Sequence, residues 1–385
     1  MKIAYSKICI NPSFPIKQRG FIQQVNPIYN FHDDLHARIL AFDDGEKIAY
    51  HISLDILGFP VELLDSLKET LQSKSDRPIS VTTSATHTHF SGDQKDARYQ
   101  GELMTKLVYA VENLTFVESD SYKISYQCVP FEGVGTSRIS NHKANVLLQL
   151  FTIYNDDVPV VAIILHNCHP TIHGGLTPYF TSEYPGYVVE TLKRNHEDID
   201  FTFIQGAAGD VSTRFTRPSQ DYKGVVYLGN KLVDEVERLL ACEKELKPLD
   251  KIEYDATYVP LTHEFNPIDI SNLPEGLTDR EIETIHVGAQ VREGLAKRLH
   301  TLVKQVMVSK LELGPYKIVF CPNEAFSSYI DCVDTTKAGL AGYSNGYSPY
   351  ITGINDDFIT YEKFTDTVTV EAKQHYMDVL RKYGK

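Results

Sequence analysis

The sequence predicts an α/β protein with central mixed β-sheets flanked by helices, built as one large domain, and three observations carry that expectation. Stretches of β-branched and apolar residues alternate with segments whose leucines recur every three or four positions. Two pairs of such stretches are joined by tight polar turns, Asp43-Asp44-Gly45 and Asn155-Asp156-Asp157. The return strand of the second pair, at 158–165, is almost wholly apolar, the pattern of a strand covered on both faces.

In chain order, 36–42 and 47–53 form the first hairpin. Leu63, Leu64, Leu67 and Leu71 define an amphipathic helix over 60–73, and 79–83 is a strand after it. Leu103, Leu107, Val108, Val111 and Leu114 mark a second helix. The second hairpin pairs 146–154 with 158–165. Residues 185–193 read as helix, 201–204 as a buried strand, and Val225, Leu228, Leu232, Val236, Leu239 and Leu240 as one side of a long helix. Charge gathers with Pro248 over 241–250, where a subdomain boundary or crossover is expected. Beyond it come a strand at 252–261, a proline-bearing loop at 264–277 and a helix at 281–302. Strands at 304–308 and 316–320, a glycine- and tyrosine-rich stretch at 339–350 and a helix at 370–382 complete the chain.

Composition narrows the function. The 385 residues carry a net charge of -13, which disfavours a general nucleic-acid or anionic-membrane surface. No apolar run reaches the length needed to span a bilayer, and the first residues lack the apolar core of a secretory leader, so a cytoplasmic protein is expected. Six cysteines are scattered without Cys-x-x-Cys pairs, which fits buried thiols better than disulfides or a thiolate metal site.

Chemistry concentrates in Ser84-Ala85-Thr86-His87-Thr88-His89-Phe90-Ser91-Gly92-Asp93, directly after the strand at 79–83. Alternate residues of an extended segment project the same way, and ligands of open α/β sheets gather beyond strand carboxyl ends. His87 and His89 are therefore expected to face one cavity. A lone His-x-His is ordinarily two surface histidines, but a second cluster, His166-Asn167-Cys168-His169-Pro170-Thr171-Ile172-His173, follows another strand, and Glu324 follows a third. Two imidazoles and a carboxylate suit a catalytic zinc, which keeps a position open for water or substrate.

Several short motifs in constant order give a resemblance. THTHFSGD is similar to the THTHSGPGG of neutral/alkaline non-lysosomal ceramidases, and HNCHPTIHGGLTPYFTSEYPGY holds that family's histidine seventeen residues before a Gly-Tyr pair. QGAAGDVS, CPNEAF and GYSNGYSPYIT resemble its small-residue turn, its PGEF and its NDYxxYVT. The resemblance implies a catalytic domain over 1–385 that hydrolyses the amide of a ceramide-like, sphingolipid N-acyl substrate with Zn2+. His87, His169, Glu324 and Tyr350 fall on the zinc ligands, and whether Tyr350 or Tyr347, the other tyrosine of the last motif, contacts the metal is left open by the resemblance. His89 falls on the family's second active-site histidine, Tyr361 on its second catalytic tyrosine and Arg138 near its NRS arginine; the implied mechanism has His89 carry the proton and Tyr361 and Arg138 stabilise the oxyanion.

The sequence departs from that pattern where Phe90 replaces the glycines after the histidine pair, and where one residue is lost before Tyr361. The secretory leader and immunoglobulin-like carboxyl-terminal domain of secreted ceramidases are not expected here. Tryptophan, a common membrane-interface anchor, is absent. These departures leave open a zinc hydrolase of another small amide or ester, or a catalytically silent lipid- or carbohydrate-binding relative. A small-molecule or lipid-like partner is expected; the oligomeric state is not legible.

Overall fold

Period-two alternation in the strands decides how the layers stack. In β2 (His36–Asp43) of the computed structural model, Ala37, Ile39 and Ala41 face one core while Leu40 and Phe42 face another. The structure describes residues 1–21, 26–140, 142–356 and 358–385. The first sheet has the order β4-β3-β2-β1-β5, with β1 (Lys2–Cys9), β3 (Ile48–Leu54), β4 (Ile79–Ala85) and β5 (Val117–Glu118). β1 to β3 run antiparallel, and β4 returns parallel to β3 through α1 (Val61–Gln72). Leu64, Leu67 and Leu71 of α1, with Leu103 and Leu107 of α2 (Ala97–Glu112), cover the Ile39 face.

The second sheet is built alike, in the order β10-β9-β8-β6-β12. It comprises β6 (Lys123–Pro130), β8 (Leu147–Asn155), β9 (Val158–His166), β10 (Asp200–Gln205) and β12 (Lys247–Pro248), while β7 (Thr136–Ser137) pairs apart with β11 (Val211–Ser212). Ala162 and Ile164 of β9 pack under α3 (Glu183–Asn195) and α4 (Tyr222–Ala241), whereas Ile163 and Leu165 meet Leu40 and Phe42 across the inner layer. The result is helix, sheet, sheet, helix. The apolar return strand β9 lies inside its sheet between β8 and β10, parallel to β10.

A third sheet, β13 (Ile252–Pro260), β14 (Gln305–Leu313), β15 (Tyr316–Phe320) and β17 (Ala338–Ala341), adds Ile318 and Phe320 to the inner core and turns Val319 towards α7 (Val370–Gly384). The charged segment 241–250 is a crossover into this sheet, anchored where Lys247 pairs with Ile124. Parallel β16 (Asn323–Ala325) and β18 (Ser348–Ile351) form a two-stranded sheet, so Glu324 sits within a strand and not merely after one. The helix expected over 281–302 is α5 (Asp279–Ala296), opened by a Thr278–Glu281 capping box; a 3-10 turn at Leu299–Thr301 follows. It stops early because only Ile285, Gly288, Glu281 and Arg292 are buried, leaving no apolar stripe to extend it. A short α6 (Tyr361–Thr365) closes the set.

One buried ion pair ties the first sheet to its neighbour. Arg38 of β2 binds Asp55 at 2.9 Å with both side chains fully enclosed, and its other nitrogen reaches Glu190 of α3 at 3.1 Å. Removing one partner strands a charge in the interior, so Arg38→Ala should lower unfolding stability by about 3–5 kcal/mol. Urea denaturation of the two proteins checks this; a loss under about 1 kcal/mol would mean that water reaches Asp55.

Candidate metal centre

Each histidine of the site is aimed by the backbone that precedes it. β4 ends at Ala85, the amide of Thr86 bonds the Leu54 carbonyl, and that of His87 bonds the Ile56 carbonyl, continuing the parallel register with β3. His87 then takes φ 67, a left-handed conformation rare outside glycine. The two side chains do converge, with Nε2 atoms 3.2 Å apart and rings at 90°. They do so through this kink and not through the alternation of an extended strand.

His169 lies three residues beyond β9, its amide bonded to Val211 O at 3.1 Å. Glu324 comes from β16, where it pairs with Tyr350. The small-residue turn 205–212 holds the two together: the Gly209 amide bonds Ala325 O at 2.7 Å, and the Asp210 carboxylate accepts the amide and hydroxyl of Ser327. A Cβ on Gly209 would stand 2.6 Å from the Glu324 carbonyl oxygen, so only glycine permits this approach.

Two carbonyl contacts fix the imidazole tautomers. His87 Nδ1 is 2.7 Å from Leu57 O, and His169 Nδ1 is 2.7 Å from Ala208 O. A carbonyl only accepts, so both Nδ1 atoms carry a proton, and in the neutral imidazole it is the Nε2 atom that presents a lone pair. Those lone pairs point at one carboxylate oxygen, Glu324 Oε2, at 3.5 and 3.0 Å. Three electron-rich atoms so close repel one another unless a proton or a metal cation lies among them. Carbonyl-anchored imidazoles with a carboxylate are the donor set of nitrogen- and oxygen-ligated metals, and the residues fit such an ion. The ligand nitrogens of His87, His89 and His169 also lie within 4.8 Å of one another.

His89 differs from the other two. Neither of its nitrogens meets a carbonyl: Nε2 faces His87, and buried Nδ1 has no partner among the described residues. No carbonyl therefore sets its tautomer. Gly20, at φ 142, packs so closely that a Cβ would lie 2.7 Å from the His89 ring, and Phe21 meets the ring edge at 4.8 Å. Burial pushes the His89 imidazole well below its ordinary value, and burial with the Arg138 charge pushes His169 down to about 4. Both are neutral at pH 7, as metal ligation and proton acceptance require.

Arg138 lies over the same cluster. Its Nη2 is 2.9 Å from Nδ1 and 3.2 Å from Nε2 of His169, and near-equal distances place it over the ring face, not along a lone pair. Its Nη1 pairs with Glu362 at 3.0 Å. The Tyr350 ring stacks 6.3 Å from His169 and lies 5.5 Å from the Arg138 guanidinium; Tyr361 stands edge-on to Tyr350 at 6.2 Å. Burial raises both phenols, so each keeps its proton for donation.

Two contributors, Glu362 and Tyr343, were not legible in the sequence as site residues, and Tyr347, the alternative tyrosine of the last motif, takes the carboxylate. Tyr347 donates its hydroxyl to Glu324 Oε1 at 2.5 Å, Glu362 holds Arg138, and the fully buried Tyr343 ring lies 4.0 Å from His87. A carboxylate directly after Tyr361 was the available signal for Glu362. The neighbouring histidines are elsewhere engaged: His166 Nδ1 bonds Leu147 O, and His173 Nδ1 binds Glu183 at 2.8 Å. A cavity of about 890 Å³ opens onto the cluster, with His89, Arg138, His169, Tyr350, Tyr361 and Glu362 in its wall.

Comparison with solved structures gives the same architecture. The whole chain superposes on 74% of the neutral ceramidase from Pseudomonas aeruginosa with a TM-score of 0.78 at 12% sequence identity. A ceramidase complexed with C2 superposes with a TM-score of 0.77, at the same identity and coverage. No family model matches the sequence, and no curated protein does. The fold is that of the neutral ceramidases, as the short motifs led us to expect.

Proposed function

We propose that this chain is a zinc-dependent hydrolase that cleaves the amide of an N-acyl substrate. The observation that carries the reading is the convergence of two tautomer-locked Nε2 lone pairs on Glu324 Oε2, at the edge of a cavity large enough for a small organic molecule. The fold shared with proteins described as ceramidases supports the choice of an amide over other hydrolysable bonds.

His87, His169 and Glu324 would hold the ion, with Tyr350 as the fourth ligand and Tyr347 orienting the carboxylate through its hydroxyl. When bound, zinc supplies Lewis acidity and brings the pKa of a water towards about 7. His89, neutral and with an unpartnered Nδ1, accepts a proton at Nε2 and delivers it to the departing amine. Tyr361 and Arg138 donate towards the tetrahedral oxyanion, a role typically worth about 3–4 kcal/mol for a well-placed donor. Glu362 keeps the Arg138 guanidinium over the site.

The test is an assay of the zinc-loaded chain against N-acyl sphingosines, N-acyl amino acids and simple esters, with and without chelator. Amide cleavage that chelator abolishes and zinc restores is expected. Cleavage that ignores chelator, or loaded protein that leaves every amide intact, would overturn the reading.

A further inference from the structure

The cavity wall holds two cations that the proposed hydrolysis leaves unused and that have no ion-pair partner among the described residues. Arg214 and Arg217 follow β11 in the loop that leads to α4, and both line the same cavity as His89 and His169. Arg214 Nη1 bonds the carbonyl of Arg138 at 3.3 Å, and Arg217 Nη1 bonds that of Thr171 at 2.5 Å. Thr171 is two residues from His169, so both guanidiniums are tethered beside the cluster. Each is half-buried, and neither has a carboxylate within ion-pair distance among the described residues.

The charges of Glu362 and Glu281 reach Arg214 and that of Glu183 reaches Arg217, but only from beyond ion-pair distance, and these carboxylates have other partners. Glu362 is committed to Arg138 and Glu283 to Arg280, while Glu281 accepts the Thr278 and Ser140 amides at the start of α5. Glu275 is exposed. Burial lowers both guanidiniums from the ordinary arginine value, and for Arg214 the Arg138 charge acts in the same direction. Arginine nevertheless stays protonated, leaving two half-desolvated forks of donors with open positions on the cavity side.

We infer that Arg214 and Arg217 form a subsite for an anionic group of the substrate, a carboxylate or a phosphate, carried near its scissile amide. Guanidinium forks match the two oxygens of either group, and hydrogen bonds to charged partners are the strong ones. The inference rests on the amide-hydrolase reading and selects within it: an N-acyl amino acid or an N-acyl aminoalkyl phosphate fits this wall better than an uncharged N-acyl sphingosine.

The experiment compares an N-acyl amino acid, its methyl ester, an N-acyl ethanolamine phosphate and an N-acyl sphingosine on the zinc-loaded full chain. At least one anionic compound should exceed the methyl ester in kcat/KM by about ten-fold or more, mainly through KM. Whether the carboxylate or the phosphate leads identifies the group. In Arg214→Gln and Arg217→Gln, that preference should fall by about ten-fold. Calorimetric titration of the metal-free wild-type chain, where no turnover occurs, should show the same order of affinity and needs no variant to fold. Equal cleavage and equal binding of the acid, the phosphate and the ester overturn the subsite while leaving the hydrolase intact. Tighter binding of an anion by a chain that cleaves no amide supports the subsite and removes the hydrolase reading.

Discussion

Replacing His169 by alanine is expected to abolish metal retention and amide hydrolysis together. The His169 ring is held at both sides, by the Ala208 carbonyl on Nδ1 and by Arg138 over its face, so its Nε2 lone pair has one available direction. Losing a group that merely orients a metal ligand typically lowers affinity or activity about 10- to 100-fold, and losing a ligand should exceed that. Zinc content after gel filtration should fall from about one per chain to a trace. By linkage, zinc at a hundred-fold excess over Kd is expected to stabilise the wild type by about 2.7 kcal/mol and so raise its melting temperature; the variant should show no such rise. A variant that keeps stoichiometric zinc would place the ion elsewhere.

His89→Ala should behave in the opposite way towards the metal. Neither nitrogen of His89 is anchored by a carbonyl, and the side chain lies in the cavity wall, as a group that takes up and releases protons requires. Zinc content should match the wild type, while kcat falls about 10²- to 10⁴-fold, the usual contribution of a positioned general base. Added imidazole should recover part of the rate, because the truncated side chain leaves room beside the cavity. Loss of zinc in this variant would make His89 a ligand, an arrangement its position within 4.8 Å of the other two ring nitrogens permits. Full activity would remove it from the mechanism.

Much of the scaffold was legible because local pattern and burial agree. The leucines of α1 and α4 and the apolar run of β9 face where their spacing says, and the two hairpins fall within a residue or two of the expected bounds. β6 escaped notice because KISYQCVP mixes polar and apolar residues with no sustained run, and β1 because its outer residues are half-exposed. At the site, chemical type was readable and geometry was not. Nothing local announces the positive φ at His87, which turns two neighbouring imidazoles towards each other. The roles of Tyr347 and Tyr350 depend on Gly346 at φ 129 and on the parallel pairing of β16 with β18, a contact between segments about 25 residues apart. The carbonyls of Leu57 and Ala208 carry no side-chain signature at all, yet they set the tautomers on which the site depends. Arg214 and Arg217, beyond the small-residue turn, likewise gave no sign of facing the cavity.

X-ray absorption at the zinc edge of the loaded protein tests the central claim most directly. The account predicts a shell of nitrogen and oxygen donors at about 2.0–2.2 Å that includes two imidazoles and loses one of them in His169→Ala. A sulfur shell at about 2.3 Å, or a spectrum without imidazole scattering, would contradict it.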